Sequence, residues 1–311
     1  MTIRVALVGC GTWGRNLLRV LVASPGARVV AVAEPTPAGR ARAAALAPEA
    51  SIVPSLDDAL ACGLDAVLIA TPPYSHAGLV LRALAAGADV FVEKPLAMRV
   101  VDAERCAARA AALGRIAMVG HLLRYHPAVE RLLELAHDGA LGHLLGLEAG
   151  RRSIDGDRSA SALWTLGPHD FSVLHALDPS PIARLSARSG PGGDPVVIEA
   201  ELTSGLAASV TLSRASTVKE RRLRVVGTAA TAVFDDVRAP DRVLVAGAEI
   251  SVAWREPLMV EVEHFLRCVE HRSQPLTPFG DGVTVVRALA QAEETCGALP
   301  ASGAADELAA Q

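Results

Sequence analysis

Two side chains in this sequence can move a proton near neutral pH from positions where a fold would present them to a ligand. Lys94 stands in Glu93-Lys94-Pro95 at the end of a short apolar run, and His169 stands in Gly167-Pro168-His169-Asp170. A lysine partly withdrawn from water has its pKa lowered and serves as a general acid or base. An imidazole, with an unperturbed pKa of about 6.5, shares or orients the same proton. By position alone a surface ion pair also explains Glu93-Lys94, and a histidine bonding a backbone carbonyl is an alternative for His169. A third constellation narrows the choice. Gly9-Cys10-Gly11-Thr12-Trp13-Gly14 follows one apolar run and opens a helical pattern, the context in which G-x-G-x-x-G holds a pyrophosphate. Gly9 permits the sharp turn, Gly11 lets the anion approach the backbone, and Gly14 lets the helix pack closely on the strand. The helix amino terminus supplies free N–H groups. Glu34 lies twenty residues beyond Gly14, where a carboxylate accepts hydrogen bonds from ribose hydroxyls and repels a 2′-phosphate. That favours NAD over NADP, with Arg40 nearby keeping NADP open.

The elements that must position these residues alternate between two periods over the first 120 residues. Short apolar runs at 3–8, 28–33, 65–70, 89–92 and 116–119 predict buried strands. Helical patterns lie between them at 14–23, 37–46, 75–86 and 100–113. Such alternation predicts βαβ units and a parallel sheet covered on both faces. Thr71-Pro72-Pro73 and Glu93-Lys94-Pro95 then fall at carboxyl ends of strands, which line the ligand crevice of an open α/β sheet. Beyond residue 122 the texture changes. A helix at 127–137 is followed by closely spaced runs rich in valine, leucine and threonine from 143 to 246, interrupted by a helix at 162–177. These predict a mostly antiparallel sheet. Helices at 259–271 and 281–298 follow, and 300–311 reads as a frayed tail. The expected division is a dinucleotide-binding domain over 1–122 and an α/β domain over 123–311.

Composition excludes several classes. The chain of 311 residues carries a net charge of −4, 51% hydrophobic and only 3% aromatic residues, which gives no electrostatic or stacking surface for nucleic acid. Five cysteines at long spacings, with no C-x-x-C, suit reduced thiols in the cytoplasm. No export signal and no apolar stretch of roughly 18–20 residues is present, so no membrane partner is expected. His121 and His126 lie five apart, which is not the spacing of a helical zinc pair, and no metal is expected.

Taken together, the glycine turn, Thr71-Pro72-Pro73, Glu93-Lys94-Pro95 and Gly167-Pro168-His169-Asp170 resemble the Gfo/Idh/MocA oxidoreductases. The likeness spans nearly the whole length. It includes Gly120-His121-Leu122-Leu123-Arg124-Tyr125-His126-Pro127 as the crossover into the second domain, and 265–294 near the end. Residues 164–170 most resemble the branch acting on nucleotide-linked sugars, with its 3-ketosugar reductases and sugar 3-dehydrogenases. The resemblance implies a Rossmann NAD(P)-binding domain followed by an α+β domain with an open, mostly antiparallel sheet that joins copies into a homodimer or homotetramer. It also implies a sugar or cyclitol substrate held over the nicotinamide. Lys94 and His169 correspond to the catalytic lysine and histidine. Gly9, Gly11, Thr12, Trp13, Gly14, Glu34, Thr71, Pro72, His76, Glu93 and Lys94 correspond to cofactor positions.

Candidate substrate contacts are Tyr125, His126, Arg151, Arg152, Thr165 and His169, the paired arginines as a bidentate clamp for a diphosphate or carboxylate. One departure stands out. Many family members carry an aspartate four residues before the histidine, where this chain has Thr165. Either Lys94 and His169 suffice, or another acid such as Asp155, Asp157 or Asp170 enters, or the task has changed. Three functions are therefore weighed: a sugar dehydrogenase or ketoreductase, a redox-inactive dinucleotide-binding sensor or assembly protein, and an enzyme using bound NAD for a net non-redox sugar reaction.

Overall fold

A computed structural model of the chain describes residues 2–154 and 161–298. Asp155, Asp157 and the tail at 300–311 lie outside the described residues. In chain order the first elements are β1 (Ile3–Val8), α1 (Gly14–Ala23), β2 (Ala27–Ala33), α2 (Pro37–Leu46), β3 (Ser51–Val53) and α3 (Leu56–Leu60). They continue with β4 (Ala66–Ile69), α4 (His76–Ala85), β5 (Asp89–Glu93), α5 (Val100–Ala112), β6 (Ala117–Gly120) and α6 (Pro127–His137). The later elements are β7 (Leu144–Arg152), α7 (Ala162–Leu177), β8 (Ile182–Ser189), β9 (Val196–Leu202), β10 (Ala207–Ser213) and β11 (Glu220–Gly227). Last come β12 (Thr231–Asp235), β13 (Ala239–Val245), β14 (Ala248–Ser251), α8 (Pro257–His271), α9 (Phe279–Glu294) and β15 (Gly297–Ala298).

Two compact units result, one of residues 1–130 with 253–287 and the other of 131–252 with 288–311. In the first, strands pair in the order β3-β2-β1-β4-β5-β6, all parallel. The order reverses between β1 and β4, the switch point at which open α/β sheets bind their ligands. β4 and β5 are buried along their whole length, as strands covered on both faces must be. β3 and α3 go beyond the sequence expectation. Ser51–Val53 is a three-residue edge strand, half-buried at best, and carries no apolar run to announce it. The Glu-Lys-Pro element therefore follows the fifth strand of the chain, although it ends the fourth of the longer ones.

The sequence division places everything beyond residue 122 in the second domain, whereas α8 packs with the first unit. Leu258, Val262, Phe265, Leu266 and Val269 recur at helical spacing and share one core with Ile3, Leu7, Leu17, Leu21 and Phe91. Phe265 meets Phe91 edge-on at 5.8 Å between ring centroids.

The second unit is built on a sheet of nine strands in the order β14-β13-β12-β11-β7-β10-β9-β8-β15. It is mostly antiparallel, with β7–β10 and β8–β15 parallel. In β7 the buried Leu147, Ala149 and Arg151 alternate with Glu148, Gly150 and Arg152, the period of two that sends successive side chains to opposite faces. α7 lies against β10, and Gly167 makes the approach possible: a Cβ there would meet Leu289 Cδ2 at 2.8 Å and Leu212 Cδ1 at 3.4 Å. No helix among the described residues is long and apolar enough to cross a membrane.

Candidate active site

The glycine turn is shaped by steric necessity at two of its three glycines. Gly9 has φ +93°, and a Cβ there would stand 2.7 Å from the Ala70 carbonyl oxygen. At Gly14 a Cβ would meet the Gly9 carbonyl oxygen at 2.1 Å, so only glycine lets α1 start this close to β1. Gly11 differs. A Cβ there would meet nothing within 4 Å, so the open side of the turn is where an anion can reach the backbone. Thr12 is exposed beside it, and α1 begins with no side-chain cap and no acid in its first turn. An uncapped helix start with a bare backbone fits a pyrophosphate.

Glu34, at the end of β2, accepts from Cys10 N–H at 2.9 Å through one oxygen, and from Thr36 N–H at 3.0 Å and the Thr36 hydroxyl at 2.6 Å through the other. Burial pushes its carboxyl up, but these donors and Arg42 outweigh it and hold Glu34 below the usual carboxylate range. It is therefore an anion that splints the glycine turn to β2, with one acceptor site left for a ribose hydroxyl. Arg40 is not a solvated arm. It donates to the Pro35 carbonyl at 2.7 Å and the Glu34 carbonyl at 3.1 Å, which leaves a cation at the rim of the ribose position.

At the ends of β4 and β5 the two predicted loops are fastened together. The Thr71 hydroxyl lies 2.7 Å from that of Ser75, which donates to the Pro72 carbonyl. His76 is 1% exposed. Its Nδ1 lies 2.7 Å from the Pro95 carbonyl and its Nε2 2.8 Å from that of Thr71. Both nitrogens are taken by backbone, so this geometry makes His76 a clamp on the cofactor-side loops and not a group that reaches the cofactor. Lys94 is half-buried at the carboxyl end of β5. Its neighbour Glu93 is buried and accepts from the indole N–H of Trp13, which ties the Glu-Lys-Pro element to the glycine turn. Burial pushes the Glu93 carboxyl up to about 7, against the opposing pull of Lys94 and the Trp13 N–H.

In the second unit, Thr165 and His169 stand one helical turn apart on α7, both half-buried. Arg214, just past β10, donates to the Thr165 hydroxyl at 3.1 Å. Where the family's aspartate would put a negative charge, this chain has a hydroxyl with a guanidinium beside it. Asp170 is not a substitute acid, because it is fully buried and bridged to Arg151 at 3.0 and 3.2 Å.

The same bridge removes the arginine pair as a joint clamp. Arg151 points into the unit toward Asp170, while Arg152 points to the other face and pairs with Glu220 at 3.1 Å. Neighbours on a strand cannot grip one ligand from opposite faces. Tyr125 is likewise engaged elsewhere. The short turn Leu122–Tyr125 swings its ring inward, 4% exposed, and its hydroxyl lies 2.8 Å from that of Thr277. His126 is 3% exposed, with Nδ1 accepting from Ala128 N–H at 3.3 Å and its ring edge-on to Trp254. Sequence reasoning missed Arg214 and also Glu261, an acid on the buried seam of α8. The signal for Glu261 was its spacing, since it falls between Leu258 and Phe265 on the apolar stripe. Arg214 left none.

A parallel sheet in this order, with a glycine turn at its switch point, defines a dinucleotide-binding domain. The family profile described as "Oxidoreductase family, NAD-binding Rossmann fold" (Gfo/Idh/MocA) matches residues 3–121. The inositol 2-dehydrogenase of Leifsonia xyli is 35% identical over 230 residues, covering 68% of this chain and 66% of that protein. The aligned stretch thus spans just under two thirds of that relative's length. A solved structure from Magnetospirillum magnetotacticum, classed among oxidoreductases, is 31% identical with a TM-score of 0.83, covering 94% of this chain and 100% of that one. The UDP-N-acetylglucosamine 3-dehydrogenase of Acidithiobacillus ferrooxidans shares the fold with a TM-score of 0.88 at 23% identity, over 95% of this chain and 98% of its own. This chain belongs to the Gfo/Idh/MocA family, and its first unit is that family's NAD-binding domain.

Proposed function

We propose that the chain is an NAD(P)-dependent dehydrogenase or ketoreductase acting on a carbinol or ketone carbon of a sugar-like substrate that carries an anionic group, such as a phosphate- or nucleotide-linked hexose. The observation that carries the redox reading is Lys94 at the carboxyl end of β5, fastened through Glu93 and Trp13 to the glycine turn. Gly11, the uncapped start of α1 and Glu34 would hold the dinucleotide. Bound there, it supplies the nicotinamide C4 that takes or gives a hydride. Lys94 Nζ takes the hydroxyl proton as the substrate carbon is oxidised, and returns it in reduction. His169 is assigned the orientation of the same oxygen, with Thr165 a neutral hydrogen-bonding partner to the substrate. Glu34 supports NAD as the preferred cofactor, and Arg40 at the rim keeps NADP within reach. Copies are proposed to join as a homodimer or homotetramer through the outward face of the nine-stranded sheet.

Arg214 supports the anionic substrate, being the cation that stands beside Thr165. Thr165 itself, unable to carry charge, favours a second reading in which the dinucleotide is bound without net redox turnover. One experiment separates them. Nicotinamide absorbance is followed with NAD⁺ or NADH and matched neutral and anionic substrates: a cyclitol, a free hexose, a hexose phosphate and a nucleotide hexose. Steady turnover of the anionic members is expected, and Arg214→Gln should raise their KM roughly 10–100-fold while sparing neutral ones. Cofactor binding with no turnover on any substrate supports the second reading, and equal KM changes for neutral substrates overturn the role of Arg214.

A further inference from the structure

α8 buries an acid that the proposed mechanism does not use. Glu261 is 0% exposed, and among the described residues neither of its carboxyl oxygens has a hydrogen-bond partner. It faces Glu93, the buried residue beside Lys94. β5 and α8 meet where Phe91 packs on Phe265 at 5.8 Å between ring centroids. A Cβ on Gly120 would touch both Phe91 and Glu93, which therefore share one face of β5. Glu261 stands one helical turn from Phe265 on the buried side of α8. We propose that of this pair Glu93 ionises first and Glu261 keeps its proton, so that Glu261 is a positioning residue that leaves Glu93 as the single anion behind Lys94.

Two carboxyls in one buried volume cannot both ionise cheaply. Which of them gives up its proton follows from their surroundings. Glu93 accepts the Trp13 N–H and lies beside the Lys94 cation, both of which favour its anion. Glu261 has neither a donor nor a cation of its own, and an unsolvated carboxylate without hydrogen bonds is the costlier state. Burial first, and then the Glu93 charge, push its carboxyl well above the ordinary range. The other titratable or charged groups around the pair do not reverse this order. Tyr125 is a buried phenol hydrogen-bonded to Thr277, Arg124 is engaged with Asp281 at 3.7 Å, and Cys268 and His264 contact each other at 3.4 Å.

The inference rests on the reading of Lys94 as the proton-transfer group, and its consequence is a pH limit on turnover. While Glu261 stays neutral, one negative charge steadies the Lys94 ammonium. Once Glu261 ionises, two charges hold that proton more tightly, and a base that must be neutral to accept the substrate proton is lost.

Infrared titration of the cofactor-free full chain reads the proton without any turnover. A carboxylic C=O band is expected to persist after Glu93 has ionised, to be absent there from Glu261→Gln, and to move to lower pH in Glu93→Gln, where the neighbouring charge is gone. Glu261→Asp should restore it. A wild-type spectrum matching that of Glu261→Gln once Glu93 has ionised overturns the inference. So does a Glu93 midpoint lowered by more than a unit in Glu261→Gln, because Glu261 would then have been charged. The second arm is the pH profile of kcat for alcohol oxidation, which should lose its alkaline decline in Glu261→Gln. An unaltered decline overturns the role behind Lys94. Should Glu261→Gln not fold, the band shift in Glu93→Gln decides alone, and an unmoved band overturns the pair. Turnover without the band sinks this inference and spares the proposed function, whereas the band without turnover supports the pair and sinks the function.

Discussion

Glu93 and Asp170 are both buried acids, each next in sequence to a candidate proton-transfer group, and the two units treat them oppositely. Asp170, beside His169, is met by a guanidinium in a bidentate bridge. Glu93, beside Lys94, receives the Trp13 indole N–H and the Lys94 backbone N–H, has no guanidinium bridge, and faces a second acid. A buried charge with a full complement of partners is committed to architecture, since removing either partner leaves the other stranded. A buried acid with partial satisfaction keeps two protonation states within reach, and such groups gather where chemistry is done.

Three experiments break or sharpen this contrast. The largest effect is expected at Lys94 itself. Lys94→Met should lower turnover by roughly 10²–10⁴-fold while leaving thermal unfolding and dinucleotide affinity near those of the parent. Steady-state kinetics alongside a melt checks it, and near-normal turnover removes Lys94 from the mechanism. Next comes the committed pair. Arg151→Met should destabilise the chain by roughly 3–5 kcal/mol, read by denaturant unfolding, and a loss under about 1 kcal/mol would mean that the bridge carries little.

The smallest effect is expected at Glu93 and is read by pH. Burial pushes the Glu93 carboxyl from the ordinary 4.5 up to about 7. The folded state therefore binds the extra proton, and this contribution to stability is fully present below about pH 4.5 and is lost as pH rises through about 7. The difference in unfolding free energy between Glu93→Gln and the parent should accordingly shift in the variant's favour by up to roughly 3 kcal/mol across that window. Parallel pH dependence in the two proteins would refute the shift.

Much of the first unit was legible because its signals are local. A G-x-G-x-x-G turn between a buried strand and a helix has one steric solution, and Gly9 and Gly14 occupy it. Lys94 could be placed at a strand end because β5 is a continuous apolar run. What escaped depends on partners distant in sequence. Arg151 and Arg152 read as a clamp until pairing along β7 turned them to opposite faces. Tyr125 read as a ligand contact until Thr277, more than a hundred residues away, took its hydroxyl. His76 carries no local mark of its two carbonyl partners. Arg214 is one of many arginines in the chain, and only the packing of α7 on β10 brings it to Thr165.

The return of α8 to the first sheet also governs how the protein must be made. Phe91 waits for Phe265, so as synthesis proceeds from the amino end the nucleotide half leaves the ribosome with its core still open on one side. It can close only after α8, Pro257–His271, has been made. Genetic fusion or excision at the apparent boundary near residue 122 would part that half from its own final wall.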